Sequence, residues 1–274
     1  MNGSSLKMMA LRLARMRVAT AGLELLTMGR GVKVNCAGRW PLRIFWRRRL
    51  THNFRVWEKE FVDVYLRSLL STDVVYDVGA ENGEWAALVG SQIGGENVHL
   101  FEPNRPAWRA IRNLWRINSL GAPGGCWRGF VANESTMIPD EPPTVRGWPS
   151  ISSAERGQVQ FEGLHAPNGI PSITIDEYVR IVGCLPTVIK MDIEGAECVA
   201  ILGAQATLRQ ARPLVFLSYH PWLVDQFKNV GCDVFLTLRQ WEYDCSLISR
   251  DHEEHWVFWP REGRRPADFS PVDY

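Results

Sequence analysis

Short apolar runs that alternate with helix-period segments constrain the fold of this chain more than any other feature. Apolar runs cover residues 74–78, 98–101, 126–131, 187–191, 214–219, 233–238 and 255–259. Between most of them lie segments with apolar residues three and four apart, at 57–70, 84–93, 105–118, 175–182, 196–209 and 222–230. In the 105–118 segment, for example, Trp108, Ile111, Leu114 and Trp115 share one face. Runs of this length that are apolar throughout are strands buried on both faces, and a strand–helix alternation requires right-handed crossovers between parallel strands. The pattern predicts an α/β domain with a seven-stranded, mostly parallel sheet and helices on both faces. Ligands in such folds sit at the carboxyl ends of the strands, where strand order reverses.

Five of those strand ends carry chemistry. The first run leads into Asp77-Val78-Gly79-Ala80-Glu81-Asn82-Gly83. Gly79 lets the backbone approach a ligand closely, and Gly83 turns the chain into the next helix, whose first amides favour a carboxylate or phosphate. The spacing Gly-x-x-x-Gly is neither the dinucleotide fingerprint nor a P-loop. An acid just before the first glycine suits a ligand with an amino group, such as a methionine moiety. The second run ends in Glu102-Pro103, about 20 residues on, where an acid accepts hydrogen bonds from ribose hydroxyls. Asn133, after the third run, is placed to read a base.

The fourth run ends in Lys190-Met191-Asp192-Ile193-Glu194-Gly195-Ala196-Glu197. If the strand continued, Lys190, Asp192 and Glu194 would share a face by its period of two. Asp192 and Glu194 are the residues expected to face the reaction, with Lys190 paired to an acid. Glu197 reads as an acid favoured by the start of a helix. The neighbouring strand delivers His220, the first choice as general base because an unperturbed imidazole titrates near ~6.5; Asp192 is the runner-up. Asp192, Glu194 and His220 would also suit a divalent metal. With no further ligand identifiable, no metal is assigned.

Taken together, Asp77–Gly83, Phe101-Glu102-Pro103, Ser172-Ile173-Thr174-Ile175-Asp176, the segment Ile189–Glu197 and His220 resemble the FkbM-like methyltransferases over roughly residues 55–260. The resemblance implies the class I methyltransferase (Rossmann-like) fold and S-adenosylmethionine as cofactor, with S-adenosylhomocysteine as product. Asp77, Gly79, Ala80, Glu81, Asn82, Gly83, Glu102, Pro103, Asn133 and Asp192 would hold the cofactor. His220, Asp192, Glu194 and Lys190 would form the catalytic group, and the acceptor would be a hydroxyl of a sugar or natural product. Nitrogen acceptors go with Asn/Asp-Pro-Pro-aromatic after the fourth strand, where this chain has Asp192-Ile193-Glu194-Gly195. Two positions depart from the family pattern. Glu81 stands where an Asn is usual, and Ser218 stands where an acid often precedes the histidine by two. These departures support the alternative, an inactive methyltransferase-fold scaffold.

Outside that region the chain changes character. Residues 1–50 hold eleven Lys/Arg and one acid, a balance of +10, against 20 bases and 29 acids in the rest. Leu6, Met9, Leu13, Met16 and Leu23 recur at helical spacing. A basic, helical N-terminal arm over 1–54 is therefore expected ahead of a methyltransferase domain over 55–274. That arm suits a peripheral membrane contact through residues 5–50, or a homodimer, and carries no nucleic-acid motif. Residues 133–171, rich in proline, read as a substrate lid. Six cysteines without a Cys-x-x-Cys pair, no apolar stretch near ~18 residues, and arginines at 12, 15 and 17 predict a reduced, cytoplasmic protein without a secretory signal.

Overall fold

The computed structural model describes residues 19–136, 142–149, 170–224 and 233–271. Twelve strands are described: β1 (Val32–Cys36), β2 (Trp40–Ile44), β3 (Val75–Val78), β4 (Val98–Phe101), β5 (Gly125–Trp127), β6 (Phe130–Val131), β7 (Thr144–Val145), β8 (Ser172–Ile173), β9 (Val188–Met191), β10 (Leu214–Tyr219), β11 (Tyr243–Arg250) and β12 (Glu254–Pro260). Eight of them form one sheet in the order β11-β12-β10-β9-β3-β4-β5-β7. The run β10-β9-β3-β4-β5 is parallel, and β12, β11 and β7 pair antiparallel at the two sides. The chain builds β3, β4 and β5 outward, then crosses back to lay β9 on the free side of β3. The order reverses between β3 and β9, and that crevice is where the fold places a ligand.

Side-chain alternation divides the core into two layers. Val75, Leu100, Val188 and Phe216 face one layer, under the helices Lys59–Ser68, Glu84–Ile93 and Ala107–Ile117. Tyr76, Val78, Phe101, Ile189, Met191 and Leu217 face the other, over Ile175–Val182, Glu197–Leu202, Gln205–Ala211 and Val234–Gln240. The same period of two puts Asp77 and Lys190 on the first face. The β3–β9 register makes them direct neighbours.

Several expectations change. The sheet has eight strands rather than seven, because Thr144–Val145, inside the stretch read as a lid, adds an edge strand to β5. Residues 137–141 and 150–169 of that stretch lie outside the described residues. The run 233–238 is not a strand but the start of the helix Val234–Gln240. Asp233 caps it by accepting from Leu236 N at 3.0 Å, and Val234 and Leu238, one turn apart, are its buried residues. The strand expected there is β11, whose alternation of buried and exposed residues includes Asp244, Cys245 and Ser246 and so lacks an apolar run. The helix expected over 196–209 is two helices broken at Gly203-Ala204. Asp176 caps the second by accepting from Ala206 N and Thr207 N, while Thr174 caps its own helix.

The N-terminal arm is not purely helical. Helix is found at 19–26 and at Trp46–Thr51, but β1 and β2 form a hairpin between them. Its Cys36, Leu42 and Ile44 join the first core layer. Residues 1–18 of the expected helix lie outside the described residues. Cys198 is disulfide-bonded, which corrects the expectation of an all-reduced chain, while Cys36, Cys126, Cys184 and Cys245 are free. Among the described residues no helix is long and apolar enough to cross a membrane.

Candidate active site

At the carboxyl end of β3 the chain turns through Gly79 (φ +87) into a tight loop. Gly79 N and Ala80 N both donate to Phe101 O at 3.0 Å, which ties the loop to the end of β4. A Cβ on Gly79 would lie 1.8 Å from Asp192 O, so the β3 loop and the β9 loop are in backbone contact there. Glu81 takes a left-handed conformation (φ +46), and Gly83 (φ +84) starts the helix Glu84–Ile93. Asn82 donates to the Glu81 side chain at 2.6 Å.

Glu102, buried at the end of β4, accepts Glu81 N at 2.7 Å on one oxygen and Asn104 N at 2.6 Å on the other. Burial raises its pKa to about 7 against the pull of those two amides. Pro103 follows it into the half-buried loop. Asn133 is not joined to this network: it is exposed, with its backbone against the turn at Gly203, and no hydrogen bond or ion pair among the described residues ties it to Glu102 or Asp192.

Across the crevice, β9 ends at Met191, and Asp192–Gly195 form a turn with Glu194 left-handed (φ +55). The period-two argument therefore stops short of Glu194, whose side chain is mostly exposed. Lys190 lies beneath the site, 2 % exposed. Its Nζ is 3.4 Å from Asp77 Oδ1, 3.5 Å from Asp192 Oδ2 and 3.2 Å from Gly79 O. Burial alone would push this amine down, but Asp77, Asp192 and Glu58 more than offset it and hold it above the ordinary lysine value. Lys190 is thus a buried counter-ion that joins the two loops rather than a group open to a substrate.

His220, just past β10, is the centre of the acidic rim. Its Nδ1 is 3.0 Å from Glu197 Oε1. Its Nε2 is 2.8 Å from Glu253 Oε2, 3.6 Å from Glu194 Oε2 and 3.9 Å from Asp192 Oδ1. Burial opposes a charged ring, yet the contacts with Glu197 and Glu253 and the charge of Asp192 outweigh it and raise the His220 pKa to about 10. The choice of His220 as base rests on an unperturbed pKa, and these neighbours remove that condition: the ring keeps its proton at neutral pH. Glu197 is also more than a helix-start acid. It is fully buried and accepts from Gly195 N as well as facing His220.

Two acids of the site escape the sequence reading. Glu253 belongs to the turn between β11 and β12, and the register Tyr219↔Glu254 carries it to the end of β10. The dense run Asp251-His252-Glu253-Glu254-His255 before an apolar strand is the sequence signal that marks it. It also answers the departure at Ser218, since His220 has a carboxylate beside it without an acid at that position. Glu58 comes from the start of the domain, just ahead of the helix Lys59–Ser68. It sits in a left-handed conformation (φ +40), accepts from Trp85 Nε1 at 3.0 Å, and has its pKa raised to about 8, first by burial and then by the charge of Asp192. The basic segment also reaches the start of the helix that follows the Gly79–Gly83 loop, through Arg48 Nε, 2.5 Å from Glu84 Oε1.

A parallel sheet with a glycine turn at its switch point, a buried acid at the next strand end and an acidic rim opposite is the layout of an α/β protein with a ligand site at its strand ends. The family model described as the methyltransferase FkbM domain matches residues 77–258, well over half of the chain, and the chain belongs to that family. The domain implies S-adenosylmethionine-dependent methyl transfer. Among solved structures, the methyltransferase FkbM from Methylobacillus flagellatus KT is similar at 22% identity and a TM-score of 0.47, over 73% of this chain and 48% of that one. The present chain thus spans about half the length of that relative. The ribosomal protein L11 methylase from Lactobacillus delbrueckii subsp. bulgaricus is similar at 12% identity and a TM-score of 0.43, over 77% and 81% of the two chains. The precorrin-6y C5,15-methyltransferase from Geobacter metallireducens GS-15 is similar at 10% identity and a TM-score of 0.42, over 74% and 88%. No curated protein matches the sequence.

The residues present fit the cofactor. Each Glu102 oxygen has one backbone donor and keeps a lone pair for a ribose hydroxyl. The acidic rim, with Asp192 partly exposed, is complementary to a sulfonium charge.

Proposed function

We propose that this protein is an S-adenosylmethionine-dependent O-methyltransferase acting on a hydroxyl of a small molecule of the sugar or natural-product type. The observation that carries the reading is the convergence of Asp192, Glu194 and Glu253 on His220 at the strand ends, directly across the Gly79 contact from the cofactor loop. The turn Asp192-Ile193-Glu194-Gly195 in place of an amide-binding Asn/Asp-Pro-Pro motif favours oxygen over nitrogen.

When bound, the cofactor supplies an electrophilic methyl group. The chain's own residues have three tasks. Glu102 and the Gly79–Gly83 loop hold the nucleoside and amino-acid parts. Asp192, partly exposed at the rim, orients the acceptor hydroxyl and takes its proton. His220, protonated and fixed by the buried Glu197, keeps the carboxylates of the rim in place. Positioning of acceptor and donor supplies most of the acceleration in such a transfer, with proton removal adding to it.

Titration calorimetry with S-adenosylmethionine tests the first half of this reading; no heat at millimolar ligand would sink it. Transfer of a labelled methyl group to a panel of polyhydroxylated acceptors tests the second. Asp192→Asn should keep cofactor affinity and lose turnover by ~100-fold or more, within the usual range for a proton-transfer group. Full turnover in that variant removes Asp192 from the role.

A further inference from the structure

We propose that Asp192, His220 Nε2 and Glu253 form a binding site for one divalent cation at the acceptor side of the crevice. One ligand atom from each of the three residues lies within 4.8 Å of the other two, with His220 and Glu253 buried and Asp192 half-buried. Ligands at right angles on a common ion at about 2.1 Å are about 3 Å apart, and those opposite each other about 4.2 Å. The separations of 2.8 Å and 3.9 Å from His220 Nε2 to Glu253 and Asp192 lie within a few tenths of an ångström of that range.

Three independent observations point to a ligand here rather than to a closed ion pair. The first is Glu253 itself. Its side chain is 4 % exposed, and Oε2 has no hydrogen-bond donor besides the ionic contact with His220 Nε2 at 2.8 Å, which ends once that nitrogen gives up its proton. A buried carboxylate oxygen without a partner is costly unless something else meets it. The second is the orientation of the imidazole. Glu197, fully buried, engages Nδ1 at 3.0 Å and so turns Nε2 toward Asp192 and Glu253. A carboxylate behind the ring that fixes its tautomer is the arrangement that metal-binding histidines use. The third is charge. Four carboxyl groups, from Asp192, Glu194, Glu197 and Glu253, lie within 3.9 Å of one imidazole. The positive ring and the Lys190 ammonium, which lies 3.5 Å from Asp192 but is shared with Asp77, do not balance them, even with the sulfonium of a bound cofactor added.

Two carboxylates and one imidazole suit Mn²⁺ or Mg²⁺ better than a thiolate-seeking metal, and three protein ligands leave coordination positions for water or for oxygens of the acceptor. The ion takes the place of the proton that His220 Nε2 carries in the ion-free site, so uptake releases that proton to solvent and strengthens as pH rises. The cation deepens the reading of the site as an O-methyltransferase: the acceptor class becomes one that offers two neighbouring oxygens to the same ion, such as a vicinal diol. The two sites share Asp192, but His220 and Glu253 belong to the cation site alone and Glu102 and the Gly79–Gly83 loop to the cofactor site alone, so each can fail alone.

The test is Mn²⁺ binding by the full chain at neutral pH, without cofactor, followed by electron paramagnetic resonance and by calorimetry. Wild type should take up one ion per chain. Glu253→Gln, His220→Ala and Asp192→Asn should each weaken binding at least tenfold. The half-buried Asp192 makes its variant the one least able to disturb folding. Asp251→Asn should leave Mn²⁺ affinity unchanged: Asp251 accepts from Glu253 N at 3.1 Å, an acceptor that asparagine keeps. It belongs to the neighbouring group Asp251, Glu253 and His255. No uptake by wild type at millimolar Mn²⁺ overturns the proposal, as does undiminished uptake in both Glu253→Gln and Asp192→Asn. Loss of binding in Asp251→Asn with binding kept in His220→Ala also overturns it, by moving the ion to the other group. S-adenosylmethionine binding measured in the same samples reports separately on the cofactor site.

Discussion

Lys190→Met is the most informative single change, because it removes a charge and little volume. The methionine keeps an unbranched stem of similar size, so packing on the first core layer is retained. What is lost is the ammonium 3.4 Å from Asp77 and 3.5 Å from Asp192. At an effective dielectric near ~20, each of those attractions is worth about 5 kcal/mol. Desolvating the ammonium costs several kcal/mol in the opposite direction, and breaking one partner out of a buried pair leaves a net loss of about 3–5 kcal/mol. Asp77 carries that loss, since it is 2 % exposed and has no hydrogen-bond partner on either oxygen. Burial already raises its pKa with Lys190 present. In the variant it can shed its charge by binding a proton, so the loss should be larger at pH 8 than at pH 5.

Urea unfolding followed by circular dichroism measures this, with stability read from the midpoint at unchanged slope. Asp77→Asn on the Lys190→Met background should recover at least ~1 kcal/mol, because the stranded carboxylate is gone. Cofactor affinity should fall in Lys190→Met as well, since Nζ also holds the Gly79 carbonyl at 3.2 Å. A loss below ~1 kcal/mol at pH 8, or strictly additive effects of the two substitutions, would refute the account of Lys190 as counter-ion.

Three further outcomes follow from the same geometry. Glu102→Gln keeps the shape of the side chain but removes its charge, and should weaken S-adenosylmethionine binding by roughly 10–100-fold in calorimetry, the range for hydrogen bonds to a charged group; unchanged affinity would place the ribose elsewhere. Gly79→Ala meets both a positive φ and the Asp192 carbonyl at 1.8 Å, so the two loops must separate. Its melting temperature and cofactor affinity should both drop, and a wild-type profile would contradict the loop contact. The third outcome concerns pH. Glu102 at about 7, Glu58 at about 8 and His220 at about 10 all have folded pKa values above the ordinary ones. Each contributes stability that is present below its unfolded pKa and lost as pH rises through the folded value. His99 and His255 are shifted the other way, His99 to about 4, and their opposing effect is complete by pH ~6.5. The melting temperature of the cofactor-free protein should therefore fall steadily from pH 6.5 to 9, and a rise over that window would show that the acidic rim is not buried as described.

Most of the parallel sheet is legible in the chain because its strands are buried on both faces. Residues 98–101 and 214–219 match their strands to the residue, and the run at 74–78 is one residue longer than β3. The misreadings come from segments with only one buried face. In Val234–Gln240 a short apolar run looks like a strand until the Asp233 cap and the Val234–Leu238 spacing are weighed. β11 hides behind polar residues on its open face. Glycine and acid at the ends of β3 and β4 are legible because a tight loop with a positive φ at Gly79 and a buried carboxylate that accepts two backbone amides at Glu102 each demand a particular residue type at a strand end.

What the sequence determined by itself is the alternation of elements, the loop at Asp77–Gly83, and Glu102, Asp192 and His220 as residues at strand ends; the reversal of strand order between β3 and β9 is a tertiary fact. The alternation, the loop and the strand-end residues are local properties, set by periodicity and by residues that only a turn or a ligand would tolerate. Tertiary structure alone decided that Lys190 answers Asp77 across the β3–β9 register, that Glu197 lies behind His220, and that Glu58 and Glu253 complete the rim from opposite ends of the chain. The reason is electrostatic: a buried charge takes its pKa and its role from whatever lies within a few ångströms, and sequence spacing does not report that distance.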